Sequence, residues 1–171
     1  AGPKNAAKAI DALRRGWAVA ITGESATIGL IAIETATDTA LASGILLSAS
    51  RAATLKLANQ FAAADTALPV MIDRPVDLDE ELALAIADPA LDMRYPMKGP
   101  FAAQALTGVE AAKAAMELAR EAGLLPAFLV VDPALADAQV SPADVAAFQD
   151  AGQLRIAARA RLPVSASSDA E

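Results

Sequence analysis

Alanine fills 46 of the 171 positions, and this limits what the chain can fold into more than any other feature. Apolar residues make up 55% of the sequence but aromatic ones only 4%, so much of the apolar content is methyl groups rather than bulky side chains. Alanine has the best helix propensity. The expectation is therefore an interior rich in helices and tightly packed. At this length the chain can build one ordinary domain with its own core, and two would be cramped.

Histidine and cysteine are both absent. Their loss excludes a zinc site of the Cys/His type, a thiolate nucleophile, a Ser-His-Asp relay, a haem histidine and a disulfide. A metal would have to sit on oxygen ligands, which favours magnesium or calcium. Acid-base work would fall to Asp, Glu, Lys, Tyr or a bound cofactor. Fourteen Lys and Arg against twenty-one Asp and Glu give a net charge of -7, which repels phosphate backbones and anionic headgroups, so nucleic acid and membrane are not expected partners. No apolar run is long enough to span a bilayer, and the start does not resemble a secretory leader. A cytoplasmic location is the expectation, with which the lack of cysteine agrees.

Periodicity then sets out the elements. Ala6, Ala9, Ile10 and Leu13 recur at helical spacing between Pro3 and Arg15, and Gly16 offers the left-handed stop. Trp17 to Gly23 and Thr27 to Ile33 predict a hairpin around Gly23-Glu24-Ser25. Ile45 to Ser48 predicts a strand, and Ser50 a cap for a helix carrying Ala53, Leu55, Leu57 and Ala58. Leu68 to Ile72 predicts a further strand, and Asp79, Glu80 and Glu81 an acidic first turn of a helix running to Asp88-Pro89.

Thr107 and Glu110 have the capping-box spacing before a long helix that Gly123 ends. Ala127 to Val131 reads as a strand buried on both faces. Ser141-Pro142 opens another helix with Gly152 as its stop, and Leu154 to Ile156 predicts a last short strand. The fold class expected is an α/β (α+β) sandwich, a mixed sheet with helices packed on it. The domain covers 1–163, and the small polar segment 164–171 reads as a linker or tail.

Four groups of residues could carry chemistry. Asp73, Asp77, Asp79, Glu80 and Glu81 are the densest set of oxygen donors, but charge matching at a helix start explains them without a ligand. Gly23-Glu24-Ser25 with Thr27 and Gly29 could offer N–H groups to an anion, yet a hairpin turn fits better than a phosphate loop. Arg155, Arg159 and Arg161 read as surface charge. The stretch Met93 to Phe101 holds Arg94, Tyr95 and Lys98 among turn formers, either a rigid connection or a loop that meets a phosphate or a partner.

Ala9-Ile10-Asp11-Ala12-Leu13-Arg14-Arg15-Gly16, Ala85-Ile86-Ala87-Asp88-Pro89, Leu118-Ala119-Arg120-Glu121-Ala122-Gly123-Leu124-Leu125-Pro126-Ala127 and the segment from Pro142 to Leu154 occur in an order that resembles the 3,4-dihydroxy-2-butanone 4-phosphate synthase family of riboflavin biosynthesis. The resemblance spans nearly the whole chain, with no single short motif decisive, and implies that family's fold. It also implies a magnesium-dependent lyase site, which this sequence does not carry. The acidic loop of the family is reduced to Thr22 to Gly29, with Ala26 where a metal-binding glutamate would lie. Its threonine-rich substrate loop has no counterpart between Asp73 and Leu82, and Arg94-Tyr95-Pro96-Met97 stands for an "R-P-G-H" region without the histidine. Counting back from Gly123, its metal-binding histidine falls on Ala111, and Asp132 is the one carboxylate relic.

The sequence is closer to the degenerate synthase-like domain that precedes the catalytic half of GTP cyclohydrolase II in some bacteria. The resemblance thus implies a structural, dimerising or regulatory domain with no catalytic residue, metal or cofactor of its own. It implies a homodimer and a downstream cyclohydrolase domain as partners. A second reading is a phosphate- or nucleotide-binding module using Arg94, Lys98 and Asp132, and a third an enzyme using Tyr95 or Lys98 as acid-base groups.

Overall fold

A computed structural model describes residues 1–166, with side chains described through Leu154 and at Ile156. Seven strands form one sheet: β1 (Val19–Thr22), β2 (Thr27–Ala32), β3 (Gly44–Leu47), β4 (Val70–Asp73), β5 (Ala103–Gln104), β6 (Ala127–Val131) and β7 (Ala138–Val140). Their order across the sheet is β5-β4-β3-β6-β2-β1-β7. The β1–β7 pair is parallel, and every other neighbouring pair is antiparallel. Five helices join them: α1 (Gly2–Arg14), α2 (Ala49–Thr54), α3 (Glu80–Ala87), α4 (Val109–Ala122) and α5 (Pro142–Ala166). The mixed sheet with helices on it matches the expected α+β class.

Because side chains alternate along a strand, the central strands β3, β4 and β6 feed two cores. Val19, Ile21, Leu30, Leu46, Met71 and Phe128 face α1, α4 and α5. Ile45, Leu47, Val70, Ile72 and Leu129 face the other way, toward α2, α3 and the short turns around Leu57 and Ala63. The alanines divide accordingly. Ala6, Ala9 and Ala12 of α1 and Ala111, Ala112, Ala115 and Ala119 of α4 are buried together, so the helices of the first face meet through methyl groups.

Several helix boundaries follow directly from the sequence. Gly16 takes φ +77 after α1, and a Cβ there would collide with the carbonyl of Thr35. Gly123 takes φ +72 after α4, where Leu124 N–H returns to Ala119 O at 2.9 Å and Arg14 donates to Ala122 O at 3.0 Å. Those bonds answer carbonyls that a helix end leaves open. At α5 the hydroxyl of Ser141 accepts from Asp144 N–H (3.1 Å), while Asp144 accepts from Ser141 N–H (3.0 Å), a reciprocal cap. Those bonds, the backbone one foremost, hold the Asp144 carboxyl below the usual carboxylate range.

Other expectations need correction. The cap of α2 is Ser48, whose hydroxyl accepts from Arg51 N–H at 3.2 Å, and not Ser50. That helix stops at Thr54 because Lys56 turns left-handed at φ 62, so Leu57 lies in a separate turn. The fourth strand starts at Val70 rather than Leu68. Thr107 and Glu110 form no capping box, since left-handed Gly108 occupies the cap position and Glu110 is bonded elsewhere.

Gly152 does not end α5, and Leu154 to Ile156 is helical rather than a strand: unlike Gly16 and Gly123, Gly152 does not turn left-handed, so the helix runs through it. The helix also crosses the expected boundary at 163/164. Of the segment read as a linker, residues 167–171 lie outside the described residues, as do the side chains of Arg155, Arg159 and Arg161. The strands β5 and β7 were not expected. Among the described residues no helix is long and apolar enough to cross a membrane.

Candidate functional site

The turn between β1 and β2 is tied to the start of α4. Gly23 N–H donates to Ala26 O at 2.9 Å and closes the hairpin, while Ser25 donates to Glu110 Oε1 through its N–H (2.9 Å) and its hydroxyl (2.8 Å). The Ser25 backbone bond is the main reason the Glu110 carboxyl is held below the usual carboxylate range. A Cβ on Gly23 would stand 2.9 Å from Glu110 Cδ, so the missing side chain at 23 makes the room that the carboxylate fills. The turn is thus the hairpin expected, and its polar groups are engaged by a side chain of the same chain.

Beside this clasp the two positions at which the resemblance places metal ligands come together. A Cβ built on Gly108 would lie 3.2 Å from the Ala26 methyl and 3.7 Å from the Ala111 methyl. Ala111 is fully buried and Gly108 is buried with it. Two grooves open next to them. One of about 480 Å³ is lined by Thr22, Glu24, Glu110 and Ser141. The other, of about 720 Å³, runs between α2, α4 and α5 past Ser48, Glu110, Lys113, Met116 and Gln149. Among the described residues no three acidic side chains are grouped so that they could hold a metal ion.

The acidic run before α3 has a local task. Asp79 caps that helix, its Oδ1 accepting from Leu82 N–H at 2.7 Å, with Glu80 and Glu81 in the first turn. This is the helix-start arrangement, favoured by the helix dipole. Asp132 has a comparable place at the end of β6, where its Oδ1 accepts from Ala134 N–H at 2.9 Å and starts a short 3₁₀ turn.

Of the other candidates, Arg94 is exposed, and Lys98 lies against the carboxylate of Asp92. The groove that Lys98 lines includes neither Arg94 nor Asp132, so the three residues do not share one cavity wall. Tyr95 donates its hydroxyl to Glu81 Oε1 in a close hydrogen bond. That bond, then burial and the Glu81 charge, raises the phenol above its ordinary value, which works against Tyr95 as a base near neutral pH.

The residue that sequence reasoning missed is Arg51. Its side chain is 4% exposed and makes four hydrogen bonds: Nε to Ile86 O (2.6 Å), Nη2 to Ala85 O (3.0 Å), and a bidentate pair to Asp92 (2.7 and 2.8 Å). Lys98 Nζ reaches the same carboxylate at 2.9 Å and Tyr95 O at 2.6 Å. Hydrogen bonds from Arg51 first, and then Lys98, hold the Asp92 carboxyl far below the usual range. An arginine among alanines and serines in α2 gives no sign in the sequence of pointing inward. No protein-family model matches the chain, and no curated protein matches it in sequence.

Proposed function

We propose that the chain is a synthase-like α+β domain that has lost its catalytic set and serves riboflavin biosynthesis as a structural, dimerising or regulatory unit. Its fold in this reading is that of the dihydroxybutanone phosphate synthases. The observation that carries the reading is the meeting of Ala26 and Ala111 over Gly108. These positions are 85 residues apart, and the resemblance places metal ligands at each by a separate count, one back from Glu34 and one back from Gly123. Their proximity supports a scaffold in which the ligand positions persist while methyl groups have replaced the donors. A fold alone does not carry a function, and methyl groups cannot bind a cation.

In this reading the chemistry of a GTP cyclohydrolase II half, which needs cysteines for zinc, is done by a neighbouring domain. This chain supplies the partner surface and self-associates as a homodimer. Incubation with ribulose 5-phosphate and magnesium is expected to release no formate above a protein-free control. Sustained formate release would end the reading. Sedimentation equilibrium checks the dimerising role, for which a monomer at every concentration would be the wrong result.

A further inference from the structure

The chain has one tryptophan, Trp17, and that side chain is 49% exposed. Its place is fixed by the way α1 ends. Left-handed Gly16 donates to Leu13 O at 3.1 Å and Trp17 N–H to Ala12 O at 2.9 Å, the paired bonds of a Schellman stop. In that motif the residue in Trp17's place packs against the one in Ala12's, and here the partner offers only a methyl group, so the indole stays half uncovered. Arg15 bonds Asp11 at 2.9 Å, and its guanidinium lies 5.3 Å from the centre of the indole, which braces the ring. A rigid aromatic ring held half in water can take a ligand at little entropic cost.

Trp17 lines a groove of about 430 Å³ together with Lys8 and Asp11 of α1 and with Asp137 and Gln139 at β7, a volume that suits a small molecule. It shares no residue with the grooves beside Gly108 or the one at Lys98. Arg15 answers the charge of Asp11, which leaves Lys8 and Asp137, one charge of each sign, and the amide of Gln139, all three exposed. The strand β7 is the last of the sheet and pairs only with β1, so the N–H and C=O groups of its outer edge face no other strand.

These groups select a chemistry. With Lys8 and Asp137 balanced there is no net charge to draw an ion, and an anion would meet the Asp137 carboxylate. Lys8 only donates, the Asp137 carboxylate only accepts, and the Gln139 amide does both. A hydroxyl also does both, so a ligand ringed with hydroxyls answers all three, while a saturated ring gives the indole a C–H face to cover. We propose that this groove binds a neutral pyranose sugar, its ring against Trp17 and its hydroxyls on Lys8, Asp137 and Gln139. The inference rests on this groove alone and stands apart from the lineage proposed above.

The test titrates methyl β-D-glucopyranoside and methyl β-D-galactopyranoside against the intact chain, with sorbitol and adenosine as comparison ligands. Trp17 is the only tryptophan, so its fluorescence reports on this groove directly, and backbone amide shifts map the contact. At least one glycoside is expected to give a saturable change with a Kd of about 1–10 mM, with shifts grouped at residues 8–17 and 137–139. Trp17→Ala, followed by amide shifts, is expected to weaken binding roughly tenfold, and Asp137→Ala, which keeps the fluorescent ring, by a few-fold. Absence of saturation by either glycoside, shifts centred elsewhere, or undiminished binding by both variants would each overturn the site. Sorbitol has the hydroxyls without the ring, and binding as tight as the glycosides would overturn the stacking on Trp17. Saturation by adenosine and by neither glycoside would overturn the sugar in favour of a planar base.

Discussion

The two faces of the sheet are held in different ways. On one, α1, α4 and α5 pack through alanine methyls against Leu30, Leu46 and Phe128, and the helices carry few side chains that could move aside. On the other, α2 and α3 are short, two 3₁₀ turns fill the space around Leu57 and Ala63, and a buried arginine ties the pieces together through Asp92. Where helices are long and small-faced, close contact along their length suffices. Where the elements are too short to order themselves, a directional charged clasp fixes their positions.

Strand β3 lets this contrast be broken most sharply, because Leu46 and Leu47 are both fully buried and point to opposite faces. Cavity cost depends on how far the surroundings can relax. Leu46→Ala is expected to lose about 4 kcal/mol, since alanine-faced helices have little to collapse into the space, and Leu47→Ala about 3 kcal/mol. Urea denaturation of the two variants checks this, and a larger loss for Leu47→Ala would reverse the account of which face is rigid.

Asp92→Ala probes the clasp itself. It leaves the guanidinium of Arg51, 4% exposed, with two backbone carbonyls and no counter-charge, and is expected to lose roughly 2–4 kcal/mol. A loss below about 1 kcal/mol, the range of an exposed pair, would mean that packing rather than charge holds this face. The opposite experiment on the first face is Ala115→Leu. Ala115 is fully buried in the α1–α4–α5 core, and three added carbons are expected to cost about 2 kcal/mol by overpacking. The same substitution at the exposed Ala53 of α2 is expected to stay within about 0.5 kcal/mol.

The contrast also decides what could be foreseen from sequence. Elements defined by their own residues were legible: the hairpin of β1 and β2, the left-handed stops at Gly16 and Gly123, and the apolar run that became the central strand β6. Elements defined by a distant partner were not. Ala138–Val140 has no strand pattern and becomes β7 by pairing alongside β1, and Ala103–Gln104 becomes β5 by pairing with β4.

Side-chain roles divide in the same way. Asp79 was placed at a helix start because its partner is three residues away, whereas Glu110 had the right spacing for a cap and bonded instead to Ser25, 85 residues earlier. Lys98 stood out as a cation among turn formers, but its meaning depends on Arg51 and Asp92, which only the fold brings to it. The alanines at 26 and 111 show the same limit, since nothing in either segment announces that they meet.

The smallest expected effect concerns the second clasp, on the first face, where Glu110 holds the hairpin turn from a half-buried position. An unfolded chain protonates this carboxyl near its ordinary value of about 4.3. The folded chain, with Ser25 donating twice, protonates it only at lower pH. As the pH falls between those values the unfolded state takes up a proton that the folded state refuses, so the clasp's contribution is present at neutral pH and fades in acid. Glu110→Gln keeps an acceptor for Ser25 and removes the titration. Its stability at neutral pH is expected to be slightly lower than that of the parent, and the two curves should converge as the pH drops below the ordinary glutamate range. A gap that stays constant from pH 7 into acid would show that the hydrogen bonds to Ser25 do not hold the carboxyl in its charged form. The turn would then be kept in place by the hairpin alone, as sequence reasoning had it, with α4 contributing nothing to its closure.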